Sequence, residues 1–254
     1  MKIRILGCGT STGVPKIGND WGLCDPAEPR NARLRSSILV ESADERMLVD
    51  CGPDLRQQLL AAEIGRLSGV IVTHAHGDHC HGIDELRPVA QGIADPVPLH
   101  ARAEVLEELK LRFAYAFEQS DFYRPIVEAL ELDEELHFGQ CRVTFADQPH
   151  GNMSSLGLRF DEASPAIGYA VDFNELSDEM AALYQGVDVW IADCLTRKPH
   201  PTHMNLAALL SAARDLHVGQ LYLVHMGNGL DYPTLVAELP DWAAPAHDGL
   251  EIVL

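Results

Sequence analysis

Positive charge is scarce in this chain. Nineteen lysines and arginines stand against 38 aspartates and glutamates, a formal net charge of −19 over 254 residues. A field of that sign repels polyanions at long range, so extended DNA or RNA is not an expected partner. Long apolar runs are missing too: none approaches the roughly 20 residues a membrane-spanning helix requires, and no membrane partner is expected. The stretch Met1-Lys2-Ile3-Arg4-Ile5-Leu6-Gly7 is too short in apolar residues for a signal peptide and alternates like a first strand, which predicts a cytoplasmic protein. Cys8, Cys24, Cys51, Cys80, Cys141 and Cys194 lie singly and far apart. With no C-x-x-C pair, neither a cysteine zinc ribbon nor a redox dithiol is supported. In a cytosolic chain these residues are expected as buried free thiols.

What is present supports a substantial core. Hydrophobic residues make up 46% of the chain, with 20 glycines and 15 prolines, a composition that argues against disorder and for a single domain over residues 1–254. Periodicity predicts strands over 2–6, 37–41, 47–49, 69–72, 95–100, 141–146, 156–160, 167–171 and 187–192. It predicts helices over 53–63, 103–117, 176–184 and 206–216, with a short one around 86–93, and gives Phe113, Tyr115, Phe117, Phe122 and Tyr123 local core packing as the default, with a pocket wall or a dimer face as the alternatives. Taken alone, these patterns give a mixed α/β domain.

The chain is organised around Thr73-His74-Ala75-His76-Gly77-Asp78-His79, which follows the apolar run Gly69-Val70-Ile71-Val72. Three imidazoles and a carboxylate on a loop are poor packing material and good metal ligands. His74 and His76 suit one ion, and Asp78 and His79, one turn further on, suit a second. Neutral imidazole and carboxylate together favour zinc, manganese or iron over a purely oxygen-liking ion.

This motif resembles that of the metallo-β-lactamase-fold hydrolases, and further matches follow in order: His150 in Gln148-Pro149-His150-Gly151, Asp172 in Gly168-Tyr169-Ala170-Val171-Asp172, and His225 in Leu221-Tyr222-Leu223-Val224-His225. The resemblance implies a four-layer αββα sandwich. It also implies two divalent ions, Mn²⁺ or Zn²⁺, one held by His74, His76, His150 and Asp172, the other by Asp78, His79, His225 and Asp172. The loop Gly7-Cys8-Gly9-Thr10-Ser11-Thr12-Gly13-Val14-Pro15 narrows the likeness to the branch of the phosphoribosyl 1,2-cyclic phosphate phosphodiesterases, the PhnP-like enzymes. The activity so implied is hydrolysis of a small cyclic phosphodiester, such as 5-phosphoribosyl 1,2-cyclic phosphate, by a hydroxide shared between the ions, with Asp78 and His203 as catalytic residues. The partner implied is a small phosphorylated substrate, and the family likeness allows a homodimer.

Other scaffold mates remain alternatives. A lactonase or thioesterase needs only another pocket, an RNA 3′-processing hydrolase carries a protruding arm, and a non-catalytic metal-binding scaffold tends to lose ligands. All seven ligand positions are filled here. Characterised relatives of the branch carry a C-x-C-x-x-C cluster for a structural zinc; only Cys24 stands in Asp20-Trp21-Gly22-Leu23-Cys24-Asp25-Pro26, so no third zinc is expected.

Several residues keep two readings. Arg30, Arg33 and Arg35 are either a solvated loop balancing nearby acids or an attractor for a phosphorylated substrate. Asp50, like Asp193, either supports a metal ligand or ends a strand. Thr202 or His203 caps the helix that follows, while the resemblance turns His203 to the substrate phosphate, where an imidazole can protonate a leaving oxygen. His81, His100 and His200 are bystanders, and the family's ending, matched at Asp248-Gly249, gives Asp248 an active-site claim.

Overall fold

The computed structural model describes residues 1–254. Alternation builds its first sheet. In β1 (Lys2–Gly7), β2 (Ser37–Ser42) and β3 (Glu45–Val49), one set of side chains (Ile3, Ile5, Ile38, Val40, Met47, Val49) joins one core, and Leu6, Leu39 and Leu48 join another. β4 (Gly69–Ile71), β5 (Val97–Ala101) and β6 (Val127–Glu131) extend this sheet. The second sheet is made by β7 (Leu136–Phe138), β8 (Cys141–His150), β9 (Met153–Asp161), β10 (Ala166–Ala170), β11 (Val189–Asp193), β12 (Gln220–Val224) and β13 (Ala243–Pro245). β14 (Glu251–Val253) returns to the edge of the first sheet beside β1.

The strand orders are β14-β1-β2-β3-β4-β5-β6 and β13-β12-β11-β10-β9-β8-β7. Each sheet has an antiparallel part followed by a parallel part, β3-β4-β5-β6 in one and β10-β11-β12-β13 in the other. A parallel neighbour needs a crossover, and each crossover here contains helix: Leu55–Ala61, Arg87–Ile93 and Ala103–Arg112 on the first sheet, Asp178–Tyr184, Leu206–Asp215 and Tyr232–Glu238 on the second. Ser177, Asn205 and Asp231 begin the latter three, each side chain accepting from the backbone N–H three residues on. The inner core lies between the sheets. On the outside of the first sheet, Leu55, Leu59, Val89, Val105 and Leu109 cover Leu39, Leu48, Val70 and Leu99. On the second, Tyr184 packs on Trp190 with ring centroids 5.3 Å apart. The layers are helix, sheet, sheet, helix: the αββα metallo-β-lactamase sandwich that the motifs imply.

Some elements differ from the periodicity. The helix expected over 103–117 breaks at Phe113 (φ −124°, ψ 36°) into Ala103–Arg112 and Ala114–Phe117. Two contacts hold that break. The Phe113 ring stands edge-on to His81 at 5.7 Å, and the Arg112 guanidinium donates to the Ala75 carbonyl inside the histidine loop. Local core packing also fails for Tyr115, Phe122 and Tyr123, which are exposed. β6, β7, β13 and the helix Tyr232–Glu238 escape the pattern; they are short, and β6 places Glu128 and Glu131 among its apolar residues. All six cysteines are buried and unpaired. No helix is long and apolar enough to cross a membrane.

Asp248 does not reach the histidine loop. Its carboxylate accepts from the backbone N–H of Cys8 at 3.0 Å and of Leu34 at 2.8 Å, clamping the C-terminal turn to the loops that follow β1 and precede β2. Burial pushes this carboxyl up to about 6, the hydrogen bonds only partly opposing it. A carboxyl raised in the folded state stabilises fully below its unfolded value near pH 4, and the benefit is lost as pH rises through about 6. Chelator-treated protein should therefore lose up to about 3 kcal/mol over that window. The loss should be absent from Asp248→Asn when both are unfolded in urea across the same pH series.

Candidate metal centre

The chemistry-bearing residues all leave strands at one edge of the sandwich. Asp50 follows β3, the histidine loop follows β4, His150 ends β8, Asp172 comes just after β10, Asp193 ends β11, and His225 follows β12. Asp50, Asp172 and His225 have φ of +63°, +57° and +55°. Left-handed backbone at a non-glycine residue costs about 1–2 kcal/mol, so the surroundings must hold these turns. His76 precedes the short helix Gly77–Cys80, which carries Asp78 and His79.

Two separate clusters result, and a third, of Asp172, His203 and His225, shares a residue with each. In the first, ligating atoms of His74, His76, His150 and Asp172 lie within 4.8 Å of one another; in the second, those of Asp78, His79 and His225 do. Asp172 lies between them. Its Oδ1 is 3.5 Å from His150 Nε2, while its Oδ2 is 2.9 Å from His79 Nε2 and 3.5 Å from His225 Nε2. His74 Nε2 and His76 Nδ1 converge to 2.9 Å. His74, His79, His150, Asp172 and His225 are buried, whereas His76 opens to solvent.

A second layer of contacts orients the rings. Asp50, fully buried, accepts from Thr73 N at 2.8 Å, from Thr73 Oγ1 at 3.0 Å and from His79 Nδ1 at 2.7 Å, which leaves His79 Nε2 facing the cluster. His150 Nδ1 donates to the Thr202 carbonyl at 2.8 Å, again freeing Nε2. Asp193 Oδ2 meets His203 Nδ1 at 2.7 Å, and its Oδ1 lies 3.5 Å from His225 Nδ1. The His203 and His225 rings stack with centroids 5.1 Å apart. Ring nitrogens fixed from behind in this way are a usual preparation for metal binding.

The donor set fits divalent cations. Asp50, Asp78, Asp172 and Asp193 crowd one small volume with imidazoles as their only ionic partners. Burial alone would lower His225, but the Asp172, Asp193 and Asp78 carboxylates outweigh it and push the ring up to about 10. Burial likewise opposes charge on His79, and Asp50 and Asp172 overcome it to raise that ring well above the histidine range. Burial, reinforced by the charge on His79, pushes His74 well below it, into the neutral form that ligates. His79 Nε2, Asp172 Oδ2 and His225 Nε2 are buried yet make no hydrogen bond, despite their proximity. The crowded carboxylates favour positive charge at this place, and these orphaned atoms are those a cation would satisfy.

The structure thus brings His74, His76, Asp78, His79, His150, Asp172, His225 and His203 together. His81, set against Phe113, and His100, within β5, lie apart, while His200 reaches only the edge, with its ring 5.2 Å from that of His203. The helix after 205 is capped by Asn205, not by Thr202 or His203, so His203 is free to face the clusters. Arg30, Arg33 and Arg35 are not a phosphate attractor. Arg30 pairs with Glu28 at 2.6 Å and lies 4.2 Å over the Tyr232 ring. Buried Arg33 donates to the carbonyls of Gly227 and Leu230, and Arg35 pairs with Asp54 at 2.9 Å and donates to the Ser11 carbonyl. Ser11, Asn152, Met153 and Thr202, none assigned a binding role from sequence, line the cavity over the clusters. Asn152 was the most accessible of them: Gly151-Asn152 follows His150 directly and forms the turn between β8 and β9, with Gly151 at φ +62°.

Asp50→Asn tests the support layer. Asparagine tolerates the left-handed turn and keeps the shape but loses the charge behind His79. Affinity for a divalent metal should fall about 10- to 100-fold in a competitive chelator titration, with little change in Tm.

The beta-lactamase superfamily domain matches residues 45–226. The crystal structure of a diphosphatase from the PhnP family superposes with a TM-score of 0.90 at 31% identity, covering 99% of this chain and 96% of that one. Zn²⁺-bound PqqB from Methylobacterium extorquens shares the fold, with a TM-score of 0.79 at 18% identity over the whole of both chains. An octanoyltransferase of Porphyromonas gingivalis is 28% identical over all of this chain, which spans only 52% of that relative's length. With two facing sheets, histidine and aspartate clusters at their shared edge, and these likenesses, the chain belongs to the beta-lactamase superfamily and is a metallo-β-lactamase-fold protein of PhnP-like character.

Proposed function

We propose that this protein is a dinuclear metal-dependent phosphodiesterase that opens a small cyclic phosphodiester to a phosphomonoester. The observation that carries this reading is Asp172, whose two oxygens face different clusters while His203, held by Asp193, stands beside them. His74, His76, His150 and Asp172 would hold one Mn²⁺ or Zn²⁺, and Asp78, His79, His225 and Asp172 a second. When bound, such a pair acidifies water and polarises a phosphoryl oxygen.

The chain's own residues supply the rest. Asp193 accepts from His203 Nδ1 and so fixes that ring, leaving Nε2 for the substrate. A proton on Nε2 either bonds a phosphoryl oxygen or passes to the departing alkoxide as the ring opens. Asp50, through His79, and the Thr202 carbonyl, through His150, keep the other imidazoles from turning. The buried carboxylates exclude a second anion from the ligand layer and favour approach of the phosphate from the open side, at His76.

A second reading, cleavage of a phosphoanhydride, is supported by the likeness to a PhnP-family diphosphatase; the electrophile is again phosphorus. The test is turnover of ribose 1,2-cyclic phosphates beside a nucleoside diphosphate, followed by phosphorus NMR on protein loaded with Mn²⁺ or Zn²⁺. Metal-dependent ring opening supports the phosphodiesterase, and anhydride cleavage alone transfers the assignment to the second reading. His76→Ala should abolish the ring-opening signal and His100→Ala should leave it.

A further inference from the structure

A second cavity, of about 550 Å³, shares no lining residue with the opening over the metal clusters. Arg4 and Leu6 of β1 line it, together with Gln57, Gln58 and Ala61 from the helix Leu55–Ala61. The loops through Pro15 and Leu34 and the turn Asp248-Gly249 supply the remaining walls.

Two polar side chains in this lining have unused hydrogen-bonding capacity. Gln58 is only 2% exposed. Its Nε2 donates to the Arg35 carbonyl at 2.8 Å, while its buried Oε1 makes no hydrogen bond. The chain makes room for this amide at Gly7, where a Cβ would stand 2.6 Å from the Gln58 Nε2. Arg4 gives Nη1 to the Ala62 carbonyl at 2.9 Å and Nη2 to Glu251, and its buried Nε–H makes no hydrogen bond. Leaving a buried acceptor and a buried donor unanswered is unfavourable, so a molecule carrying both a donor and an acceptor satisfies the pair.

The charges of the lining cancel. Arg4 and Arg33 stand with Asp248 and Glu251, two cations with two carboxylates, which favours a neutral occupant over a phosphate or an amine. Leu6, Val14, Pro15 and Leu34 add carbon surface. A cavity of this size with mainly apolar walls and a few placed polar groups has the build of a small-molecule site.

We propose that this cavity binds a neutral amide heterocycle of the nucleobase class, with a ring N–H donating to Gln58 Oε1 and a ring carbonyl accepting from Arg4 Nε. The site is separate from the metal centre and stands whichever bond the metal centre cleaves.

Uracil is the probe, titrated by calorimetry into metal-loaded protein at pH 8, where Asp248, raised to about 6 by burial, is ionised. A Kd below about 1 mM is expected. No binding at about 10 mM would overturn the proposal and leave Gln58 and Arg4 to water. 1,3-Dimethyluracil keeps both carbonyls but has no N–H, and should bind about tenfold or more weakly, the size of a lost hydrogen bond; equal affinity would remove Gln58 as the reader and overturn the proposal. Gln58→Met should weaken uracil by a similar factor, and unchanged affinity counts against the proposal. That change also frees the Arg35 carbonyl, so Ala61→Trp, at the exposed rim of the cavity, gives an independent arm. It should weaken uracil tenfold or more with metal content unchanged. Undiminished binding in Ala61→Trp would place uracil elsewhere on the protein and overturn the assignment.

Discussion

Asp172→Asn is expected to lower kcat by at least about 10³-fold while leaving the sandwich folded. Asparagine is the informative replacement because the position sits at φ +57°, where Asn and Asp are tolerated and alanine would add strain. The amide preserves volume and shape, and one oxygen can still face one cluster. Its NH₂ must then face the other, where it offers no lone pair to a cation. Metal content by mass spectrometry should fall from two ions per chain to one or fewer, with unchanged far-ultraviolet circular dichroism. Two tightly held ions in the variant would show that Asp172 does not join the clusters.

His203→Gln is expected to lower kcat for an alkyl cyclic phosphodiester by about 10²- to 10⁴-fold, the usual contribution of a placed proton donor. The size of the loss should depend on the leaving group. An alkoxide departs poorly without a proton, whereas the anion of an acidic phenol departs well unaided, so a bis(nitrophenyl) phosphate should lose far less. This comparison separates proton donation from mere support of the site, because a collapsed pocket would lower both rates together. Metal stoichiometry should be unchanged. Equal losses on the two substrates would reduce His203 to a residue that positions phosphate. Asp193→Asn should reproduce a milder form of the same leaving-group dependence through the ring it holds at 2.7 Å, together with weaker metal retention through His225, whose Nδ1 lies 3.5 Å from the other Asp193 oxygen.

Much of this site was written locally. The run from Thr73 to His79 places four chemistry-bearing side chains on one loop after a buried strand, and no long-range information is needed to suspect a metal. His150, Asp172 and His225 are different. Each is a single polar residue at or just beyond a strand end, and only the family pattern links residues up to 151 positions apart in the chain, His74 to His225. The fold class followed the same division. Period-two alternation is plain in β1, where Lys2 and Arg4 stay half-buried between Ile3 and Ile5, whereas β2 and β3, covered by a core on each face, read as short continuous apolar runs. β6 and β7 are short edge strands with polar residues, where pairing partners rather than side-chain pattern decide the structure. The arginines were ambiguous for a physical reason: a guanidinium looks the same in sequence whether it meets phosphate or a protein carbonyl. Arg33 proved to be a buried bracket joining the loop after β1 to the loop after His225. Ser11 carried no signal of its own, because a hydroxyl in a turn is common and only its place over the clusters gives it meaning, while Asn152 had only the Gly-Asn turn directly after His150.

Each cluster draws on both sheets. His74 and His76 come from the loop after β4, and His150 and Asp172 from β8 and the end of β10; in the other cluster Asp78 and His79 face His225 from beyond β12. An ion seated in either cluster would rivet the two halves of the sandwich at their open edge, closing loops of about 70 to 150 residues, for which chain entropy rises only slowly with length. Catalytic parts and mechanical fastener would then be the same atoms. Under chelation the edge should fray first, with backbone amides of the loops after β4, β10 and β12 exchanging with deuterium ahead of the Trp190 core, and limited proteolysis starting there.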